Sequence, residues 1–278
     1  MKYKQNNKIA IGTAQFSNNY GITNKDFLNL NQIRYILNDC LKFNINTIDT
    51  APEYKGVEKK IGKFNLGSFN IITKVSLTKN RKIISSNNLK KNIHSTLSNL
   101  NVEKIYAILI RNPLNLLKNK KLLEVFIDFK ERRMVSKIGY TMYNVEELEK
   151  LYNYFRPDIV QIPYSIIDKR FEKGKWLNKM YNDGVEIHIR SVFLQGLLLT
   201  EAKNLPTNLF LYKNFFEKYE AWVKKKNITK LQACMNSLLS DKRISRIIIG
   251  INNRQNLGQV SNLKKIKLFY PKWLELNN

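Results

Sequence analysis

The sequence predicts an α/β protein, a closed (β/α)8 barrel of the TIM type built as a single domain over residues 1–278. Short β-branched runs alternate with longer stretches of helical apolar spacing from one end to the other. The alternation repeats eight times, and eight strand-then-helix units in roughly 250 residues is what such a barrel requires. No G-x-G-x-x-G or Walker pattern follows the first strand, so the glycine-rich turn expected of an open doubly wound sheet is missing.

The units read in order. Lys8–Thr13 alternates Ile with small residues and predicts the first strand, followed by a helix from Leu30 to Phe43. Asn46–Ala51 leads into Val57–Phe64, and Asn70–Val75 into Leu89–Leu100, where Ile93, Leu97 and Leu100 share one face. Lys104–Ile110 leads into Leu122–Met134, Lys137–Thr141 into Val145–Phe155, and Asp158–Pro163 into Phe171–Tyr181. Val185–Val192 is followed by a long loop and helical stretches through Leu239, and Arg246–Ile251 by Leu257–Lys265. Nothing rich in Pro, Gly or Ser divides the chain, which supports one domain.

Composition narrows the function classes only broadly. With 43% hydrophobic residues the chain can bury an ordinary core, which sets aside a disordered or fibrous protein. Lys and Arg total 48 against 22 Asp and Glu, a formal charge of +26 that raises anionic partners such as nucleic acid, phosphorylated compounds or membrane surfaces. The basic residues are scattered, with no recognition module and no stacking platforms among them, so specific nucleic-acid binding is not expected. Cys40 and Cys234 are both set in helical patterns and read as buried thiols. His94 in a helix and His188 in a strand have no ligand spacing around them, so no metal site is expected and both read as structural. No apolar run reaches the roughly 18 residues of a membrane span, and no secretory leader is visible; a cytoplasmic protein is the expectation.

Chemistry in such barrels sits at the C-terminal ends of the strands. The second strand ends in Asp49-Thr50-Ala51-Pro52-Glu53-Tyr54, and the third ends at Lys74. Neighbouring strand mouths lie side by side, so Asp49, Tyr54 and Lys74 are expected to converge. A phenol titrates near 10, and an adjacent ammonium would pull that value down and make Tyr54 a usable acid. Asp49 would keep the proton on a buried Lys74. Taken singly, a strand-end Asp is often a helix cap, a Lys reaches water and a loop Tyr packs; their joint placement argues for catalysis.

These residues resemble the first signature of the aldo-keto reductases, Asp-Thr-Ala-x-x-Tyr-Gly-x-Ser-Glu-x-x-Leu-Gly. Asp49, Ala51, Tyr54, Glu58 and Gly62 match it, while Lys55 replaces the first Gly and Val57 the Ser. The resemblance spans nearly the whole chain. Gly12-Thr13-Ala14-Gln15-Phe16 with Tyr20-Gly21-Ile22 is similar to the family's opening loop, Ile72-Thr73-Lys74 to its lysine strand, and Gly139-Tyr140-Thr141 to its Gly-Val-Ser strand end. Val160–Tyr164 and Arg190–Leu198 resemble the sixth and seventh strand ends, the latter similar to a bacterial branch associated with surface-sugar biosynthesis.

The resemblance implies hydride transfer between a nicotinamide and a carbonyl, with Tyr54 as general acid and Lys74 and Asp49 tuning it. The family's fourth catalytic position, normally His, is Arg111 here. An arginine can still donate hydrogen bonds to a carbonyl oxygen, but cannot pass a proton. By the same mapping Thr141 and Gln161 would hold the carboxamide, with Met142 where an Asn is usual, and Arg190 would lie against the nicotinamide ring. Gly12 and Thr13 belong to the opening loop. Ser191, Gln195 and Gly196 would line the pyrophosphate, and Gly250, Asn252, Arg254 and Asn256 the adenosine phosphate. Arg254 favours NADP(H) over NAD(H). The implied partner is a small carbonyl compound, sugar or sugar-nucleotide in character, taken up by a monomer or small homo-oligomer. A rival expectation keeps the barrel and its cofactor but makes it a regulatory or scaffold protein with little turnover.

Overall fold

The computed structural model describes residues 6–17, 28–264 and 266–275. Eight parallel strands close into a barrel, as the sequence predicts: β1 Ile9–Gly12, β2 Thr47–Asp49, β3 Asn70–Ser76, β4 Ile105–Arg111, β5 Val135–Thr141, β6 Ile159–Pro163, β7 Glu186–Arg190 and β8 Ile244–Gly250. Each strand pairs with its neighbours in sequence, and β8 closes on β1 with Gly12 opposite Gly250. The strand ends stay level around the mouth. Gly12 faces Asp49, Thr141 faces Gln161, and Pro163 faces Arg190.

The helices are α1 Leu30–Lys42, α2 Val57–Ile61, α3 Ser86–Leu100, α4 Lys121–Glu131, α5 Val145–Tyr152, α6 Trp176–Asn182, α7 Lys213–Lys225, α8 Lys230–Ser240 and α9 Arg254–Ser261. Caps explain several starts. Asn29 and Gln32 form a reciprocal capping box on α1, Thr229 and Gln232 do the same on α8, and Ser85 caps α3. α1 then buries Ile33, Ile36, Leu37 and Cys40, and each large aliphatic side chain so covered contributes about 2 kcal/mol.

Period-two alternation sorts each strand into two faces. Ile48, Ile71, Ile108, Ile138, Val160, Ile187 and Ile247 point outward into the large apolar layer under the helices. Ile72, Ala107, Leu109 and Ile159 form a separate small cluster inside the barrel. Asp49, Lys74, Arg111, Thr141, Gln161 and Arg190 each lie two residues, or one further pair, beyond an inward position, so parity alone turns them all toward the barrel axis at its C-terminal mouth. Cys40 and Cys234 are buried free thiols, which burial pushes up to about 12. His94 sits on α3 against Phe129, and His188 is buried in β7.

Several boundaries depart from expectation. The segment 171–181 is not one helix: Lys175 takes a left-handed φ of 58°, separating Arg170–Lys173 from α6. α2 stops at Ile61, and the last helix starts earlier, at Arg254, because Asn253 caps it, and ends at Ser261. Lys265 and the Tyr20-Gly21-Ile22 motif lie outside the described residues. A hairpin of Thr78–Lys79 and Lys82–Ile83, turned by Asn80 and Arg81 at positive φ, follows β3 unannounced by any Asn-Gly signal. Among the described residues, no helix is long and apolar enough to cross a membrane.

Close strand approach fixes one position. A Cβ at Gly139 would stand 1.8 Å from the carbonyl oxygen of Ile159, a backbone atom that cannot yield. Gly139→Ala is expected to destabilise the fold by about 3 kcal/mol, the upper end of overpacking costs, read from urea denaturation; an unchanged midpoint would contradict this packing.

Candidate active site

Asp49 is the centre of the mouth. Its Oδ1 accepts from Lys74 Nζ at 2.5 Å and its Oδ2 from Gln161 Nε2 at 2.7 Å, so both carboxylate oxygens are occupied by side chains from β3 and β6. Lys74 also donates to the Thr50 carbonyl at 3.1 Å. The ion pair is nearly dry, with side chains 3% and 4% exposed. Burial pulls the Lys74 ammonium below its usual value, while the Asp49 charge and hydrogen bond pull it back up.

Tyr54 stands on the turn between β2 and α2, held by hydrogen bonds from its own N–H to the Ala51 carbonyl and from the Val57 N–H to its carbonyl. Lys74 Nζ lies 5.6 Å from its ring centroid, so the expected juxtaposition of amine and phenol is present. The expected downward pull on the phenol is not. Burial pushes the Tyr54 phenol above its ordinary value, Asp49 reinforces that, and Arg111 and Arg190 oppose it without prevailing. The physical reason is burial, which penalises the phenolate most, with the Asp49 carboxylate adding to the penalty.

Arg111 ends β4 next to this group, partly exposed. Its Nε lies 3.8 Å from Glu53 Oε1, beyond hydrogen-bond reach, and is buried with no acceptor in place among the described residues. Its charge acts on both Tyr54 and Lys74. The guanidinium is thus close enough to act on the Tyr54 phenol and keeps an Nε–H without an acceptor among the described residues, but it does not line the adjoining cavity.

A cavity of about 520 Å³ opens at this wall and runs across the ends of β7, β8 and β1. Of the sequence-predicted positions, Asp49, Tyr54, Gly12, Gln161, Arg190, Ser191, Gln195, Gly196, Gly250, Asn252 and Asn256 line it. Lys74 and Thr13 lie behind the lining, Thr13 donating to the Asp49 carbonyl at 3.1 Å. Thr141 is buried at the end of β5, opposite Gln161. Arg254 does not line the cavity. Its Nε donates to Asp39 Oδ2 on α1 at 2.6 Å, and its guanidinium rests 5.3 Å from the Tyr35 ring.

Two features of the lining fit a dinucleotide. Gln161 is fully buried, and its Oε1 has no donor among the described residues, an acceptor waiting for the N–H of a carboxamide. The turn after β7 holds Ser191, Leu194, Gln195 and Gly196 at positive φ, a strained backbone of the sort that clusters at ligand sites. Arg190 closes the near end, donating to Ser191 Oγ and the Met142 carbonyl and stacking 4.2 Å from the Tyr143 ring. Sequence reasoning missed Lys230 and Gln259, while Gln15 was named only within the opening loop. Gln15 packs where a Cβ on Gly250 would sit, and Lys230, at the start of α8, bonds to Thr200 and Glu220 on the rim. Only the length of the β7–β8 connection could have hinted at Lys230.

The strand-end residues and the elongated cavity lie together at the C-terminal mouth of the barrel, where barrels of this type carry their chemistry. The sequence matches the aldo/keto reductase family over residues 8–272, and the chain belongs to that family. Its coarse activity follows: interconversion of a carbonyl and an alcohol with a nicotinamide cofactor, generally NADP(H) in this family. No curated protein matches the chain. Solved structures share its fold. The thermostable aldo-keto reductase Tm1743, in complex with the inhibitor epalrestat, is 21% identical with a TM-score of 0.73, covering 94% of this chain and 91% of its own. Aldo-keto reductase AKR11C1 from Bacillus halodurans, in a holo form, is 16% identical at 0.73 (94% and 88%). Glycerol dehydrogenase AKR11B4 from Gluconobacter oxydans is 18% identical at 0.71 (94% and 88%).

Replacing Lys74 by Met should leave Asp49 buried with its charge unmatched. We expect a stability loss of about 3–5 kcal/mol by chemical denaturation, whereas loss below about 1 kcal/mol would show the pair to be solvated.

Proposed function

We propose that the protein reduces an aldehyde or ketone group of a sugar-like compound in the cytoplasm, with Tyr54 as the general acid. One observation carries this reading: Tyr54, Asp49 and Gln161 stand on one cavity wall, with Lys74 directly behind them. When bound, the nicotinamide supplies the hydride. Gln161 would hold its carboxamide through Oε1, Arg190 would face its ring, and Ser191, Gln195 and Gly196 would offer hydroxyl, amide and backbone donors to the pyrophosphate.

The phenol is held protonated at neutral pH, so it begins as a donor. Tyr54 Oη hydrogen-bonds the substrate carbonyl and passes its proton as negative charge grows on that oxygen. Arg111 offers its free Nε–H to the same oxygen, and Arg190 adds a second positive charge; both favour the phenolate left behind. Arg111 thereby takes over the electrostatic part of the missing histidine's work.

NADP(H) is the cofactor we assign over NAD(H), through Arg254 at the start of α9. Asp39 already holds that guanidinium, so the preference should be modest, roughly tenfold, the scale of one partly compensated surface ion pair. The sugar-like substrate rests on the likeness of Arg190–Leu198 to the surface-sugar branch and on the basic charge of the chain.

Tyr54→Phe is expected to lower NADPH oxidation with sugar aldehydes and ketones by at least about a hundredfold while NADPH affinity, measured by fluorescence quenching, stays within about twofold. Gln161→Leu should do the reverse, weakening NADPH binding by about tenfold. Binding without turnover by the unaltered protein across the panel would instead favour a cofactor-holding scaffold.

A further inference from the structure

Glu58, on the first turn of α2, is a carboxyl that the reaction above does not use and that packing alone does not explain. It is 3% exposed and reaches from α2 to Thr73 on β3 and to Thr96 on α3, so it lies between the strand layer and the helices. A carboxyl in an apolar layer is costly, and an aliphatic side chain of similar volume would serve the packing better. What the carboxyl adds is direction. Oε1 accepts from Thr73 Oγ1 at 2.9 Å, Oε2 from Thr96 Oγ1 on α3 at 3.4 Å, and Asn99 supplies a further side-chain bond.

Thr73 is the outward-facing neighbour of Lys74 on β3. At the other end of the clamp, the Val57 N–H, one residue before Glu58, bonds the Tyr54 carbonyl at 2.8 Å. α2 is also seated tightly on α3, since a Cβ at Gly62 would stand 2.2 Å from the Asn99 carbonyl oxygen. A continuous path therefore runs from the strand bearing the catalytic lysine to the turn bearing the catalytic tyrosine. We infer that Glu58 is a positioning residue, which through Thr73 fixes the distance between Tyr54 and Lys74. The inference rests on the reductase reading for its purpose, though not for its geometry.

Burial lifts the Glu58 carboxyl to about 7, against the bonds from Thr73, Asn99 and Thr96, with Glu53 across the Tyr54 turn adding to the rise. Thr96 and Asn99 on α3 are uncharged. Lys74 turns to the other face of β3 and is matched by Asp49, Lys60 is bonded to the Phe16 carbonyl, and Lys59 is exposed. The ionised carboxylate accepts all three donors, and protonation removes one acceptor, so the clamp is tightest above pH about 7. Stability runs the other way. With the folded value raised from 4.5, the native state binds the extra proton, and stability falls as pH rises from about 4.5 to about 7. A purely structural role would make activity follow stability; a positioning role makes the two diverge.

The test uses the full chain labelled with 13Cζ-tyrosine, the Tyr54 resonance being assigned by its loss in Tyr54→Phe. Titrated from about pH 5.5 to about pH 8.5, it should shift with a midpoint near 7, and the shift should vanish in Glu58→Gln. Alongside, kcat with NADPH and 4-nitrobenzaldehyde should fall at least about tenfold in Thr73→Val, which keeps the side-chain shape but removes the bond to Glu58, with an unchanged NADPH Kd showing that the fold survives. The wild-type to Glu58→Gln ratio of kcat should rise through pH about 7. A Tyr54 resonance insensitive to Glu58, or wild-type kcat in Thr73→Val, overturns the inference. If the titration holds but the wild type oxidises no NADPH, it is the reductase reading that fails.

Discussion

The buried pair of Lys74 and Asp49 is the constraint on which the rest of the mouth depends. An ammonium and a carboxylate removed from water are tolerated only at contact distance and with their remaining hydrogen-bonding capacity filled, here by Gln161 and the Thr50 carbonyl. That requirement ties β2, β3 and β6 together at one point. It orients Gln161 so that its amide donates to Asp49 and leaves its Oε1 without a donor among the described residues, and it places a fixed cation behind Tyr54. Catalytic geometry and ion-pair satisfaction are one arrangement.

The same burial governs the electrostatics of the phenol. Burial first and the Asp49 charge second raise the phenol above its ordinary value, so it stays protonated although Lys74 lies beside it. Two arginines oppose that rise, Arg111 beyond hydrogen-bond range of Glu53 and Arg190 stacked on Tyr143. A site with two guanidiniums near its reacting oxygen favours the state in which that oxygen turns negative. In the proposed reaction, Arg111 in place of the family histidine would shift the emphasis from proton handling to charge stabilisation.

Much of this was legible in the sequence for a simple reason. Strand order is read directly from residue spacing, so Asp49, Tyr54 and Lys74 could be assigned to one barrel mouth without coordinates, while Gln161 and Arg190 were reached through the family resemblance. What was not legible depends on tertiary competition. Arg254 reads as a phosphate ligand until α1 supplies Asp39, some two hundred residues away in sequence, to bind it first. Lys175 breaks a segment whose apolar spacing is continuous, and Lys230 reaches the cavity rim only because the β7–β8 connection folds back. Glu58 was visible only as a matched letter; its burial and its bond to Thr73 belong to the packing of α2 on β3.

Single-turnover hydride transfer in Asp49→Asn tests the central claim most directly. The protein is preloaded with NADPH deuterated at the transferring position and mixed rapidly with 4-nitrobenzaldehyde. The account predicts that the cofactor still binds, that transfer shows a primary isotope effect, and that its rate falls by about a hundredfold because Lys74 and Gln161 have lost their common anchor. Transfer at the wild-type rate in Asp49→Asn would contradict it.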